Sequence, residues 1–208
     1  MEAGKFLGFL LTEGGIEANP YKCATIIGMR SPASVKEVQQ LIGRMAALSS
    51  FSSVEGEKGY PYFQCLKKNN CFIGTHECED AFIRLKEYLA SPPVLCMSLP
   101  GTPLHLYFAV TDQAISSVIV QEQDKVQRPI YFVSKVFQGP EVWYQAIQKA
   151  ALAVVFAERQ LCYYFQSLIV IVMTDLPIRK VLQKPDMAGS LGSRPVWVWR
   201  AVRTQRAY

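Results

Sequence analysis

Apolar residues recur with two different periods along the chain, and the period changes near residue 100. In segments that begin after Ser34 and Thr75, apolar positions return every three or four residues, which predicts amphipathic helices. From residue 104 onward, short apolar runs are separated by polar turns, which predicts strands. The Pro- and Gly-containing stretch at residues 100–103 separates the two patterns, and we therefore predict a domain boundary there.

The first half is predicted to open with a strand, a turn and a returning segment, and to continue as helices. Residues 5–11 form an apolar run that reads as a strand, and Asn19–Pro20 is expected to break the regularity of the returning segment. Ser34 and Glu37 have the spacing of a capping box, which predicts a helix start. Thr75 is the predicted N-cap of the second helix, which ends at a Ser-Pro-Pro sequence.

The second half is predicted to be an α/β domain. Its three strands are expected at residues 104–110, 115–123 and 128–136. The short turns between them predict an antiparallel meander. A long helix over residues 141–165 and a fully apolar strand over residues 168–173 follow, the latter typical of a central parallel strand. With a further helix beginning at Leu176, this order predicts a mixed sheet with flanking helices.

Two apolar strands end in the same dipeptide, Thr111–Asp112 and Thr174–Asp175. If these strands are neighbours in one sheet, the two carboxylates lie close together, and their mutual repulsion favours a shared divalent cation. The alternative is that each aspartate only caps the turn or helix that follows it. Both interpretations remain open on the sequence pattern.

Longer stretches of the chain resemble a known family. Three stretches of the second half resemble the ribonuclease H domain of gypsy-type LTR-retrotransposon Pol polyproteins: LYFAVTDQAISSVIVQE, RPIYFVSKVFQGPEVWYQAIQKAALAVVFA and VIVMTDLPIRKVLQKPD. Upstream stretches are similar to the reverse-transcriptase region of the same polyproteins: KFLGFLLTEGGIEANPYKCATI, SPASVKEVQQLIGRMAAL and HECEDAFIRLKEYLASPPVL. The resemblance implies a palm remnant at residues 1–30, thumb and connection helices at 31–99, and an incomplete ribonuclease H-like domain at 100–186.

The family resemblance also implies a chemistry, hydrolysis of the RNA strand of an RNA–DNA hybrid with two magnesium ions. Asp112 matches the first catalytic carboxylate and Asp175 the third, so these two would be the metal ligands. The position of the second carboxylate is occupied by Gln148, whose amide has no charge and is a poor ligand for magnesium. Weak or lost cleavage is therefore expected, and the alternative is a non-catalytic nucleic-acid-binding or interaction module.

The last 22 residues differ in composition from the rest of the chain. The net charge is +5, and residues 187–208 hold four arginines and no acid, which leaves +1 for residues 1–186. This divergent basic tail is either a basic-aromatic arm for nucleic acid or a frameshifted or read-through sequence. In either case the sheet is expected to lack its last strand. The polymerase aspartates of the family would precede Met1, so polymerase activity is not expected from this chain.

The six cysteines contain no CxxC pair, and free thiols are the default expectation. Zinc binding by Cys65, Cys71, His76 and Cys78 is disfavoured because their spacing matches no standard ligand pattern. The sequence has neither an apolar run of membrane-spanning length nor a secretory signal pattern, so an intracellular location, cytoplasmic or nuclear, is expected.

Overall fold

The fold is that of a computed structural model, which describes residues 4–6, 9–12, 15–48, 51, 76–178 and 202–205. Contacts divide the chain into two compact units, Met1–Met97 and Ser98–Tyr208. The division lies three residues before the Pro- and Gly-containing stretch at residues 100–103. The finer domain limits stay predictions.

Unit 1 begins with a three-stranded antiparallel sheet of β1 (Gly4–Phe6), β2 (Phe9–Thr12) and β3 (Gly15–Ala18). The single strand predicted over residues 5–11 is wrong, because Phe6 pairs with Phe9 and the apolar run folds back on itself. At Gly15, φ is +136°, and a Cβ there would lie 2.2 Å from the Leu95 carbonyl oxygen. Only glycine fits this close approach of two backbones.

Three helices complete the described part of unit 1: α1 (Pro20–Ile27), α2 (Val35–Ala46) and α3 (His76–Ala90). The sequence prediction missed α1, because Asn19–Pro20 was interpreted as a break. Proline in fact occupies the first helical position, and the Asn19 side chain accepts a hydrogen bond from Tyr21 N at 2.9 Å. The predicted helix after Ser34 is confirmed, with Ser34 Oγ accepting from Glu37 N at 3.3 Å.

Unit 2 contains a five-stranded mixed sheet in the order β6-β5-β4-β7-β8. Its strands are β4 (Leu104–Val110), β5 (Ala114–Gln123), β6 (Val126–Val136), β7 (Val170–Met173) and β8 (Val202–Gln205). The antiparallel meander β4-β5-β6 and the parallel pairing of β7 with β4 are confirmed. The expected loss of the last strand is wrong, because β8 pairs with β7 in parallel. Its four mostly polar residues carry almost no strand pattern, so the sequence did not reveal it.

The long helix predicted over residues 141–165 is wrong as a continuous element. The chain forms a 3₁₀ turn over Gly139–Trp143, then α4 (Ala146–Gln160) and α5 (Cys162–Ser167). Tyr144 and Leu161 interrupt the run, since their backbone angles lie outside the helical region. The helix predicted from Leu176 lies mostly outside the described residues.

The core of unit 2 lies between α4 and the sheet. Both α4 and the inward side of the sheet are lined with fully buried small and aliphatic residues: Leu104, Leu106, Ile119, Ala150, Ala151, Ala153, Ala157 and Val172. Alanines on the helix allow its backbone to approach the strands closely. Over the ranges that the structure describes, no helix combines the length and the apolarity needed to cross a membrane.

Candidate functional site

The first turn of α4 lies beside the turn that follows β4. Lys149 Nζ donates a hydrogen bond to the backbone carbonyl oxygen of Asp112 at 2.9 Å, and Phe137 N donates to the carbonyl oxygen of Gln113 at 2.8 Å. We refer to Asp112, Phe137, Gln145, Gln148 and Lys149 as the Asp112 corner. It holds two of the three residues that the sequence marks as candidate catalytic positions.

Asp112 lies in a tight turn after the end of β4, and its side chain is exposed. The neighbouring Thr111 fixes this turn: its Oγ1 accepts from Ala114 N at 3.0 Å and from Gln113 N at 3.3 Å. This is the local hydrogen bonding by which threonine stabilises turns. The backbone of Asp112 is thus held in place, while its carboxylate faces solvent.

Asp175 also follows the end of its strand, since β7 ends at Met173. Its side chain is exposed, and Thr174 Oγ1 accepts from Leu176 N at 3.1 Å in the next turn. In the parallel pairing, Leu106 is opposite Val172.

Asp112 lies two residues after the end of β4 at Val110, and Asp175 lies two residues after the end of β7 at Met173. Because β4 and β7 are parallel neighbours, the two aspartates follow adjacent strands at the same edge of the sheet, as the shared dipeptides suggested.

Gln148 occupies the first turn of α4 and acts there as a helix cap. Its Oε1 accepts from Gln145 N at 2.9 Å, the reciprocal half of a capping box. This bond satisfies one of the amide donors left free at a helix N-terminus. The side-chain oxygen of Gln148 is thus engaged by its own helix.

Lys149 brings a positive charge into the Asp112 corner. Only 7% of the residue is exposed, and Nζ lies 4.9 Å from the centroid of the Phe137 ring as well as 2.9 Å from the Asp112 carbonyl oxygen. Both partners stabilise an ammonium ion in a poorly solvated place. The sequence analysis considers Lys149 only as the residue after Gln148. The signal for its role is that a lysine stands on the apolar side of a predicted helix.

These described residues do not fit a pair of magnesium ions. Such a site needs several carboxylates that converge on one point. Within the part of the chain that the structure describes, no cluster of three or more His, Cys, Asp and Glu side chains could hold a metal ion. The uncharged side chain of Gln148, which caps its own helix, and the ammonium of Lys149 both act against binding a hard cation here.

Three of the described cysteines, Cys23, Cys96 and Cys162, are free thiols. Burial raises the pKa of the Cys23 thiol, with a smaller opposing effect from a backbone hydrogen bond. His76 pairs with Asp80 across one helical turn at 3.0 Å, on the surface of α3. The remaining cysteines of the disfavoured zinc group, Cys65 and Cys71, lie outside the described residues.

Comparison with known proteins agrees with this architecture. Residues 75–172 match the family described as the RNase H-like domain found in reverse transcriptase. The chain carries an RNase H-like domain of a retroelement reverse transcriptase. The retroelement family inferred from the sequence is thereby confirmed.

Relatives of the chain include Pol and Gag-Pol polyproteins. It is 30% identical over 161 residues to the Retrovirus-related Pol polyprotein from transposon 297 of Drosophila melanogaster, covering 76% of this chain and 15% of the relative. The polyprotein from transposon opus of the same organism is 26% identical over 74% of this chain and 16% of its own length. The Gag-Pol polyprotein of woolly monkey sarcoma virus is 27% identical over 72% of this chain and 9% of its own length. The chain thus spans between 9% and 16% of these relatives.

Three solved structures of the foamy viral protease-reverse transcriptase share the fold. The complex with dsDNA has a TM-score of 0.73 at 16% identity, covering 100% of this chain and 45% of that chain. The dRH form in complex with ds DNA has a TM-score of 0.74 at 17% identity, covering 100% of this chain and 38% of that chain. The complex with RNA/DNA hybrid has a TM-score of 0.71 at 17% identity, covering 99% of this chain and 29% of that chain. The predicted fold class, a mixed sheet with flanking helices, is confirmed.

Proposed function

We propose that this chain is a nucleic-acid-binding module of a retroelement reverse transcriptase, and that its RNase H-like domain cleaves RNA–DNA hybrids weakly or not at all. The observation that carries the proposal is the Asp112 corner. Two-metal hydrolysis needs negative charge where the metals bind. At this corner the only candidate carboxylate is that of Asp112, and the buried ammonium of Lys149 lies beside its backbone.

The arrangement supports binding better than catalysis for a second reason. Gln148 caps its own helix through Oε1, and its uncharged amide is a poor ligand for magnesium. RNase H-like domains generally use divalent metals, and in this chain Asp112 and Asp175 are the residues that would hold magnesium, as an inherited but incomplete set.

Support for nucleic-acid binding comes from the exposed side of α2 in unit 1. Gln39, Gln40 and Gly43 are exposed on one side of this helix, and Lys36 adds a positive charge. Nothing lies within 4 Å of the place where a Cβ of Gly43 would be. A glycine inside a helix costs about 1 kcal/mol relative to alanine. Since no neighbour within the described structure requires Gly43, its place is consistent with close approach of an external ligand.

The ligand class follows from the fold and these groups. Amides and a lysine on a smooth helix face suit the polar groove edge and phosphates of a duplex. The foamy viral reverse transcriptase that shares the fold was solved with dsDNA and with RNA/DNA hybrid. We therefore assign a duplex, RNA–DNA hybrid or double-stranded DNA, as the partner of this module.

The test is a titration of the purified chain with a fluorescently labelled RNA–DNA hybrid in magnesium buffer. We expect binding that weakens as salt is raised, because phosphate contacts release counterions. Arg44 adds a second positive charge in the last turn of α2. Replacing Lys36 and Arg44 together by glutamate should reduce the affinity, whereas replacing the exposed Glu87 of α3 by glutamine should not. Absence of salt-dependent binding to any duplex would contradict the proposal.

A further inference from the structure

A tryptophan two residues before Gln145 of the Asp112 corner is largely exposed to solvent. Trp143 is 86% exposed, the highest value among the large apolar residues of the described chain. Tryptophan is highly buried on average in folded proteins, and an isolated exposed indole loses favourable burial without a compensating contact. Trp143 therefore offers an aromatic face that is accessible to a ligand.

The backbone that carries Trp143 is firmly held. Trp143 ends the 3₁₀ turn Gly139–Trp143, in which the Glu141 carboxylate accepts from Gln138 N at 3.0 Å and pairs with Lys135. Tyr144 N donates to the Glu141 carbonyl oxygen at 3.2 Å. The indole thus projects from a fixed turn, so little conformational freedom of the backbone would be lost on binding.

The residue after Trp143 anchors the turn to the core. Tyr144 packs against the buried cluster of Ile115, Phe137, Leu152 and Ala153. Gln145, which follows, caps α4 together with Gln148. Trp143 is therefore two residues before Gln145 of the Asp112 corner, and it is exposed where the adjacent Tyr144 is partly buried. Its position close in sequence to the Asp112 corner is held by this anchored turn.

We propose that Trp143 stacks on an unpaired nucleobase of a nucleic acid bound at this edge of the RNase H-like domain. The inference rests on the proposed function. Aromatic stacking suits a base because every base has a flat π-face, and it needs no charge on the protein. A base, rather than the backbone, is the part of the ligand that an indole recognises.

The test compares two labelled RNA–DNA hybrids, one blunt and one with an unpaired single-stranded overhang. Trp143→Ala should weaken binding to the overhang hybrid about tenfold and leave binding to the blunt hybrid unchanged. Trp143→Phe, which keeps a smaller ring, should lose about twofold on the overhang hybrid. Tyr163→Ala is the matched control, because Tyr163 is 80% exposed on α5 of the same unit. It should bind both hybrids like the unsubstituted chain.

Fluorescence gives an independent readout in a chain with the other two tryptophans, Trp197 and Trp199, replaced by phenylalanine. The overhang hybrid should quench the emission of Trp143, and the blunt hybrid should not. If the unsubstituted chain binds the overhang hybrid and Trp143→Ala binds it equally well, the stacking proposal is wrong while the proposed function stands. Equal loss on both hybrids would also contradict stacking on an unpaired base. If the unsubstituted chain binds neither hybrid, both proposals fail.

Discussion

Two helices of similar length, α2 in unit 1 and α4 in unit 2, differ in how much of their surface is buried. In α2 the buried residues are confined to one side, at Val38, Leu41 and Met45. In α4 nine of fifteen residues are buried, among them Lys149 and Glu158. The first helix can offer a surface to a ligand along its length. The second builds the core of its unit and can act only through its first turn, where Gln148 and Lys149 lie.

This difference explains why the sequence predicts α2 more accurately than α4. The periodic pattern of α2 and its Ser34 cap defined the helix from sequence, because half of the helix faces water. The nearly continuous apolar pattern of α4 did not show where the helix begins or that it breaks at Leu161. Substitutions in the two helices should accordingly differ in kind, affecting stability in α4 and ligand binding in α2.

The largest effect is expected in the core beneath α4. Leu152→Ala removes a buried side chain from the cluster with Ile115, Phe137 and Ala153, and should lower the free energy of unfolding of unit 2 by about 2–5 kcal/mol. Gln160→Ala, at the exposed end of the same helix, should change it by less than about 0.5 kcal/mol. Thermal or denaturant unfolding measures both. Equal effects would mean that α4 does not pack as described.

A smaller effect is expected at Lys149. Lys149→Met keeps the length of the side chain but removes the hydrogen bond to the Asp112 carbonyl oxygen and the cation–π contact with Phe137. Hydrogen bonds to charged groups contribute about 1.5–3 kcal/mol, so we expect a loss of about 2 kcal/mol in unfolding free energy. Lys135→Met, at a partly exposed ion pair with Glu141, is the control and should lose less than about 1 kcal/mol. A more stable Lys149→Met chain would show that the buried charge is a net cost.

In α2 a single substitution should move stability and binding in opposite directions. Gly43→Ala should stabilise unit 1 by about 1 kcal/mol, because alanine is the better helix former and its Cβ meets no atom within 4 Å. The same methyl group should weaken binding to an RNA–DNA hybrid. Unfolding and hybrid titration of the same preparation check both. Stabilisation without any change in affinity would remove α2 from the proposed binding surface.

The smallest effect concerns alkaline pH. Burial, and to a lesser degree Tyr131, raise the pKa of Tyr164 above its ordinary value. A raised pKa of an acid means that folding favours the neutral phenol, so this contribution is complete below a pH of about 10 and is lost as pH rises beyond it. Tyr164→Phe should therefore flatten the alkaline decline in stability above that pH. Identical pH profiles for the two chains would contradict the shift.

The sheet of unit 2 could be predicted because its strands carry their own pattern. Alternation, turn residues and the apolar run of β7 predict β4, β5, β6 and β7 from the sequence alone. By contrast, β8 has four mostly polar residues with little strand pattern of their own. It forms a strand because it pairs with β7. Tertiary pairing overrides weak local preference in such short strands.

The candidate site was predictable in position but not in detail. Two matching dipeptides located Asp112 and Asp175 at one edge of the sheet. That β4 and β7 are neighbours depends on their parallel pairing across the sheet, which no local pattern encodes. The engagement of Gln148 as a cap and of Lys149 with the Asp112 backbone depends likewise on how α4 meets the turn after β4. Such contacts between segments distant in sequence are set by packing.

The central claim is that the chain binds an RNA–DNA hybrid without cleaving it efficiently. The most direct measurement incubates a hybrid labelled on its RNA strand with the purified chain and magnesium, and records bound fraction and RNA length in the same samples, alongside Asp112→Asn and Gln148→Glu. We predict salt-dependent binding with full-length RNA for the unsubstituted chain, and retained binding for Asp112→Asn. Robust magnesium-dependent cleavage by the unsubstituted chain that disappears in Asp112→Asn would contradict the claim.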